Sequence, residues 1–147
     1  MIQGKPVTIL LVEDDPAHAE IVRRSLSDSR IANRVVHVND GQAAMDYLFH
    51  EGEYSDPVGH PIPSLILLDL RLPRVDGMEV LHRIKNDETL RHIPTVVLTT
   101  SAAEADMVRA YDGGAGSYLI KPMNLAKLMK LMEVFGFYWL IWNRDPV

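Results

Sequence analysis

Glu13, Asp14, Asp69, Thr99 and Lys121 are scattered along the chain, yet they carry the groups that phosphoryl transfer needs in one place. Three carboxylates brought together repel one another unless a cation intervenes. An all-oxygen donor set with few protein ligands suits Mg²⁺, which keeps several waters and also grips a phosphate. A carboxylate beside bound Mg²⁺ is a competent nucleophile toward phosphorus, because the ion offsets charge on the incoming group while the attacking and leaving oxygens stay in line. Asp69 is the candidate nucleophile, with Glu13 and Asp14 as its metal-holding partners. The Lys121 ammonium would pair with phosphoryl oxygens or with Asp69 itself, and the Thr99 hydroxyl would donate a hydrogen bond to a phosphoryl oxygen.

Such chemistry requires a fold that gathers distant positions on one edge. Five short β-branched or leucine-rich runs, Val7–Val12, Arg34–Val38, Leu65–Asp69, Thr95–Thr99 and Ser117–Ile120, alternate with amphipathic segments. That alternation predicts parallel strands joined by crossover helices. The central runs are apolar without a period of two, as strands covered on both faces should be. Each candidate group closes or follows a strand, and the carboxyl ends of parallel strands are where open α/β sheets bind ligands.

The helices carry their own punctuation. Asp15-Pro16 supplies a cap and a first-turn proline, followed at helical spacing by Ala17, Ile21, Val22 and Leu26, so Asp15 reads as a cap rather than a metal ligand. Asp40-Gly41 opens a second helix and Asp76-Gly77 a third, with Met78, Leu81 and Ile84 inward. Ser101 is expected to cap a fourth helix with Met107, Ala110 and Tyr111, which Gly113 and Gly114 stop. Asn124 caps the last. The long connection from His50 to Ser64 enters the third strand at its amino end, away from the site, and reads as a surface excursion.

Composition narrows the function classes. The 147 residues fit one domain, 1–147, with an extended C-terminal helix over 124–142 carrying an aromatic tail. With 20 acidic against 15 basic residues and a formal charge of -5, there is no footprint for binding nucleic-acid backbones. The absence of Cys removes disulfides, thiolate metal sites and thiol nucleophiles. No run approaches the roughly 18 apolar residues of a membrane span, and the first residues lack a signal core, so a cytoplasmic protein is expected.

Four segments carry a specific resemblance: Ile9-Leu10-Leu11-Val12-Glu13-Asp14-Asp15, Leu67-Leu68-Asp69 through Asp76-Gly77, Val97-Leu98-Thr99 and Tyr118-Leu119-Ile120-Lys121-Pro122. Together they resemble the CheY-like receiver domain of two-component response regulators, over nearly the whole chain. The resemblance implies a flavodoxin-like doubly wound (βα)5 sandwich with a five-stranded parallel sheet in the order 2-1-3-4-5. It implies a stand-alone regulator, phosphorylated on Asp69 by a histidine kinase. Mg²⁺ would be held by Glu13, Asp14, Asp69 and the Arg71 carbonyl, with Thr99 and Lys121 stabilising the phosphoryl group. It further implies a switch in which Thr99 moves toward that group and Tyr118 turns inward, and a cis Lys121–Pro122 bond. Within the family, Asp40-Gly41-Gln42-Ala43-Ala44, the insertion around Gly52-Glu53-Tyr54, Val97-Leu98-Thr99-Thr100-Ser101 and the aromatic ending are similar to the single-domain regulators of bacterial phytochromes. A phytochrome-type kinase is the partner this implies. A phosphorelay intermediate or a phosphorylation-independent docking module are the alternatives.

A lone Asp at a strand end is usually a cap or a surface charge, and Lys before Pro an ordinary turn residue; five matching groups at strand ends outweigh those readings for Asp69, Glu13, Asp14 and Lys121. The six histidines show no ligand spacing and read as surface or packing residues. An aspartyl-phosphate phosphatase would need an acid where Arg71 stands. A nucleotide or flavin module would need a glycine-rich cradle where Glu13-Asp14-Asp15 would repel the ligand. The protein is thus expected to modify itself and to turn over no metabolite. Arg71 and Thr100 depart from the small or neutral residues often found at those places, which bears on how long the phosphate survives. In the tail, Leu125, Leu128, Met132, Phe135, Trp139 and Trp142 form one seam and Leu131, Val134, Tyr138 and Ile141 a second. One seam covers the sheet and the other has no partner within one small domain, which predicts a homodimer, with Phe135, Tyr138, Trp139 and Trp142 of the aromatic tail as its candidate contacts.

Overall fold

A computed structural model of the chain describes residues 7–27, 33–100, 103–122 and 124–142. Those residues form a parallel sheet of β1 (Val7–Val12), β2 (Asn33–Val38), β3 (Leu65–Leu68), β4 (Thr95–Thr99) and β5 (Ser117–Ile120), in the order β2-β1-β3-β4-β5. The helices are α1 (Pro16–Ser27), α2 (Gly41–Leu48), α3 (Gly77–Lys85), α4 (Glu104–Asp112) and α5 (Leu125–Trp142). The doubly wound architecture and its strand order are as the resemblance implies.

The two layers of helices follow from side-chain alternation along apolar strands. Leu10, Val12, Ile66, Leu68 and Val97 enter one core with Ala44 and Leu48 of α2, Val80, Leu81 and Ile84 of α3, and Ala110 of α4. Their neighbours Ile9, Leu11, Leu65, Leu67, Val96 and Leu98 enter the other, with Ala19, Val22 and Leu26 of α1 and Leu128 and Met132 of α5. Four consecutive apolar residues in β3 are therefore required by the topology, since both faces are covered.

The predicted caps at Asp15, Asp40, Asp76 and Asn124 are formed. Asp40 accepts from the Ala43 amide at 2.7 Å, and Asn124 from the Ala126 and Lys127 amides at 2.8 and 3.2 Å. At the end of α4, Gly114 takes φ +102, a left-handed conformation for which glycine is suited, and the Gly113 and Ala115 amides return to the Arg109 and Ala110 carbonyls.

Several expectations are corrected. Ser101 lies outside the described residues, and α4 begins at Glu104 with Ala103 in the cap position and no side-chain cap. Tyr111, expected inward, is 50% exposed, because Met107 and Ala110 already supply the inward stripe of a helix that covers only one edge of the sheet. Ala17 is likewise exposed, and α1 packs through Ala19, Val22 and Leu26. No peptide bond is cis among the described residues, so Lys121–Pro122 is trans, the isomer an X–Pro bond favours by about 0.5–1 kcal/mol. The connection after α2 is a surface excursion with its own small core, in which Tyr47, Tyr54 and His60 meet edge to face and the Tyr47 hydroxyl donates to the Pro61 carbonyl at 2.8 Å. Helix α5 is described to Trp142, with Leu128 and Met132 buried on the sheet. The side chains of the four residues expected to join a dimer, Phe135, Tyr138, Trp139 and Trp142, lie outside the described residues, as does that of Ile141 in the second seam.

Candidate functional site

Strand register alone brings the first acids together. β1 and β3 pair with Val12 opposite Leu68, so Glu13 and Asp69 leave adjacent strands at the same level, and the Asp69 amide donates to the Val12 carbonyl at 3.1 Å. Asp69 thus sits one residue past β3 rather than within it. The Glu13 main chain is pinned on its other side, its amide donating to the Val38 carbonyl at 3.0 Å and its carbonyl meeting His37 Nε2 at 2.7 Å. Gly77 permits the start of α3 to close over the Asp69 backbone: a Cβ there would lie 2.2 Å from the Asp69 carbonyl oxygen. Any side chain would push the helix off the site.

From the far edge, the Lys121 amide donates to the Thr99 carbonyl at 2.7 Å, which ties the β5 exit to the end of β4. Lys121 is 3% exposed and its side chain crosses to the acids, donating to Glu13 Oε1 at 2.6 Å and Asp69 Oδ2 at 3.2 Å. Asp69 Oδ1 accepts from the Arg71 amide at 3.2 Å, and Glu13 Oε2 from the Asp15 amide at 3.1 Å. Burial pushes the Glu13 carboxyl up to about 7, against the downward pull of Lys121 and with Asp69 repulsion adding to the rise. Thr99 is fully buried at the end of β4. Tyr118 is 8% exposed and belongs to the core that includes Leu81 and Ala110.

Glu13, Asp14 and Asp69 each offer a carboxylate oxygen, all within 4.8 Å of one another, with Asp14 the exposed member. Hard oxygen donors only, one of them open to water, fit a divalent cation of the Mg²⁺ type. Asp15 is occupied elsewhere: its Oδ1 accepts from the Ala17 and His18 amides at 2.9 and 3.2 Å, and those bonds, the His18 amide foremost, hold its carboxyl below the usual range. Arg71 lies in the loop after Asp69, and its guanidinium reaches Asp106 on α4 at 2.8 Å. The sequence reading brought together Glu13, Asp14, Asp69 and Lys121, and missed His18, whose Nδ1 lies 3.0 Å from Lys121 Nζ. It also missed His37 and Asp106. For His18 a clue was available, since a capped helix starting at Pro16 directly after the acid pair places its first turn beside the site.

A doubly wound sheet with an acid pair, a third aspartate, a buried hydroxyl and a lysine at one edge defines the receiver class of signalling domain. The chain belongs to that family: the response regulator receiver domain matches residues 9–133. It is 49% identical over 142 residues to the probable methanogenesis regulatory protein FilR2 of Methanothrix harundinacea, spanning 96% of this chain and 88% of that one. It is 44% identical over 135 residues to the response regulator Rcp1 of Synechocystis sp., spanning 92% and 90%. The Mn²⁺-bound structure of Rcp1 superposes with a TM-score of 0.90 at 42% identity, covering 97% of this chain and 100% of that one. The phosphorylated cyanobacterial phytochrome response regulator RcpA superposes with a TM-score of 0.88 at 40% identity, covering 96% and 98%. Among the described residues no helix is long and apolar enough to cross a membrane.

Proposed function

We propose that the protein accepts a phosphoryl group from a histidine kinase on Asp69, in a Mg²⁺-dependent reaction that it catalyses on itself alone. The observation that carries this is the buried Lys121 ammonium held between Glu13 and Asp69, with Asp14 completing a carboxylate triad. In the transfer, an Asp69 carboxylate oxygen forms a bond to phosphorus as the P–N bond of the kinase phosphohistidine breaks, and the imidazole leaves with the electron pair. Glu13, Asp14, Asp69 and the Arg71 carbonyl would hold Mg²⁺, which when bound offsets charge on the transferring group. Lys121 passes from Asp69 to a phosphoryl oxygen, Thr99 donates to another, and rearrangement at Thr99 and Tyr118 carries the change to the α4–β5 face. Arg71 and Thr100 set the lifetime of the phosphate through access of water.

Structural neighbours named as phytochrome and bacteriophytochrome response regulators support a phytochrome-type kinase as the partner. The relative from Methanothrix harundinacea, named for regulation of methanogenesis, supports a second reading in which the same chemistry serves a kinase with a different input. For assembly, Val108 and Tyr111 of α4, Ile120 of β5, and Leu125, Met129 and Val134 of α5 are exposed apolar residues on three consecutive elements at the β5 edge. A second copy covering that edge, extended by the aromatic tail, makes a homodimer. Deleting Phe137 to Val147 should then lower the sedimenting mass to that of a monomer, and an unchanged mass would exclude the tail.

The phosphorylation itself is tested by incubating the protein with Mg²⁺ and acetyl phosphate and weighing the product. The wild type should gain one phosphoryl group, and Asp69→Asn and the metal-free protein should not. Equal labelling of wild type and Asp69→Asn would reject Asp69.

A further inference from the structure

We propose that His18 is a positioning residue for Lys121, a neutral anchor that keeps the ammonium in the site while its carboxylate partners change their engagement. The inference rests on Asp69 being the phosphoryl acceptor. An ammonium has three protons and no lone pair, and Lys121 Nζ has three acceptors in reach: Glu13 Oε1 at 2.6 Å, Asp69 Oδ2 at 3.2 Å and His18 Nδ1 at 3.0 Å. Two of these belong to the carboxylate triad. A carboxylate drawn toward a cation, or committed to a bond with phosphorus, offers less to the lysine. His18 lies outside the triad and loses nothing in either event.

The imidazole is itself placed. The His18 amide donates to Asp15 Oδ1 at 3.2 Å, which fixes the residue on the first turn of α1, and the ring is largely buried. Since lysine can only donate, Nδ1 is the acceptor and the ring proton sits on Nε2. Asp15 Oδ2 lies 3.7 Å from the same Nδ1, beyond a hydrogen bond, so the carboxylate flanks the ring without bonding to it. Without His18, a flexible four-carbon side chain would be aimed only by the two carboxylates, Glu13 and Asp69.

Asparagine places an oxygen near the position of Nδ1, whereas alanine offers no acceptor. With acetyl phosphate and saturating Mg²⁺, His18→Ala should be phosphorylated about ten-fold more slowly than wild type, and His18→Asn should recover to within about three-fold. Mg²⁺ affinity without a phosphodonor should change less than about two-fold in either variant, since His18 touches none of the three carboxylates by a hydrogen bond. In the unphosphorylated wild type, the long-range ¹H–¹⁵N spectrum of His18 should show the Nε2–H tautomer. Wild-type rates in His18→Ala, equal losses in the alanine and asparagine variants, or an Nδ1–H ring would each overturn the role. Failure of the wild type to label would instead reject the phosphorylation reading, while the tautomer still reports whether His18 accepts from Lys121.

Discussion

Two lysines stand at opposite ends of the same strand layer, and their surroundings differ in one respect. Near the carboxyl end of β4, Lys121 is met by two carboxylates and an imidazole. Near the amino end, Lys85 of α3 donates to the Arg91 and Ile93 carbonyls at 3.1 and 3.0 Å, and its stem lies where a Cβ on Gly114 would come within 2.8 Å. Both sites satisfy the donors. Around Lys85 the acceptors carry only partial charge, and burial pushes its ammonium below the usual lysine value. The carbonyls that hold it are fixed by the main chain, so Lys85 closes a turn. Around Lys121 the acceptors are side chains that have other partners to take, so the same functional group is free to be exchanged. What separates the two lysines is thus whether their partners can leave.

The sharpest way to break this contrast is to remove each ammonium while keeping its stem. Lys121→Met should slow Asp69 phosphorylation by about 100-fold, the cost of one donor aimed at developing charge. Labelling at the wild-type rate would make Lys121 as structural as Lys85. The carboxylates at the reactive end should also make the metal-free protein sensitive to pH. Because burial raises the folded-state Glu13 value from 4.5 to about 7, the native state holds more protons than the unfolded chain between those values. Stability therefore falls as pH rises through that window. In urea titrations with chelator, wild type should lose about 1–3 kcal/mol relative to Glu13→Gln between pH 4.5 and 7. Parallel curves would show that Glu13 ionises as an ordinary carboxyl. At the opposite end, Lys85→Met should cost about 1–2 kcal/mol of stability through two lost hydrogen bonds, with phosphorylation changed by less than about two-fold. A large fall in phosphorylation would link the two ends of the sheet.

The reactive end was legible in the sequence because parallel topology converts position along the chain into position in space. Apolar runs such as Leu65–Leu68 mark strands covered on both faces, and the polar residue after each run must then lie at one edge. Residues that reach the site from a helix were less visible. His18 carries no ligand spacing, and only the rotation of α1 about its axis decides that its ring meets Lys121. The Arg71–Asp106 contact joins a loop to a helix 35 positions away. Tyr111 was placed inward because a helical stripe locates an apolar face only to within about one residue step, and the edge of the sheet leaves part of α4 uncovered.

The Lys121–Glu13 contact closes 108 positions of chain. Loop closure over that length is entropically costly and earns its return only once β3 and β4 are in place between the ends. A chain emerging from the ribosome therefore exposes Asp69 well before the lysine that completes its surroundings. Until β5 docks, the aspartate is an ordinary acid in a partly built sheet. On the proposed function, competence to receive a phosphoryl group is in this way acquired last, and truncated or half-folded copies stay mute.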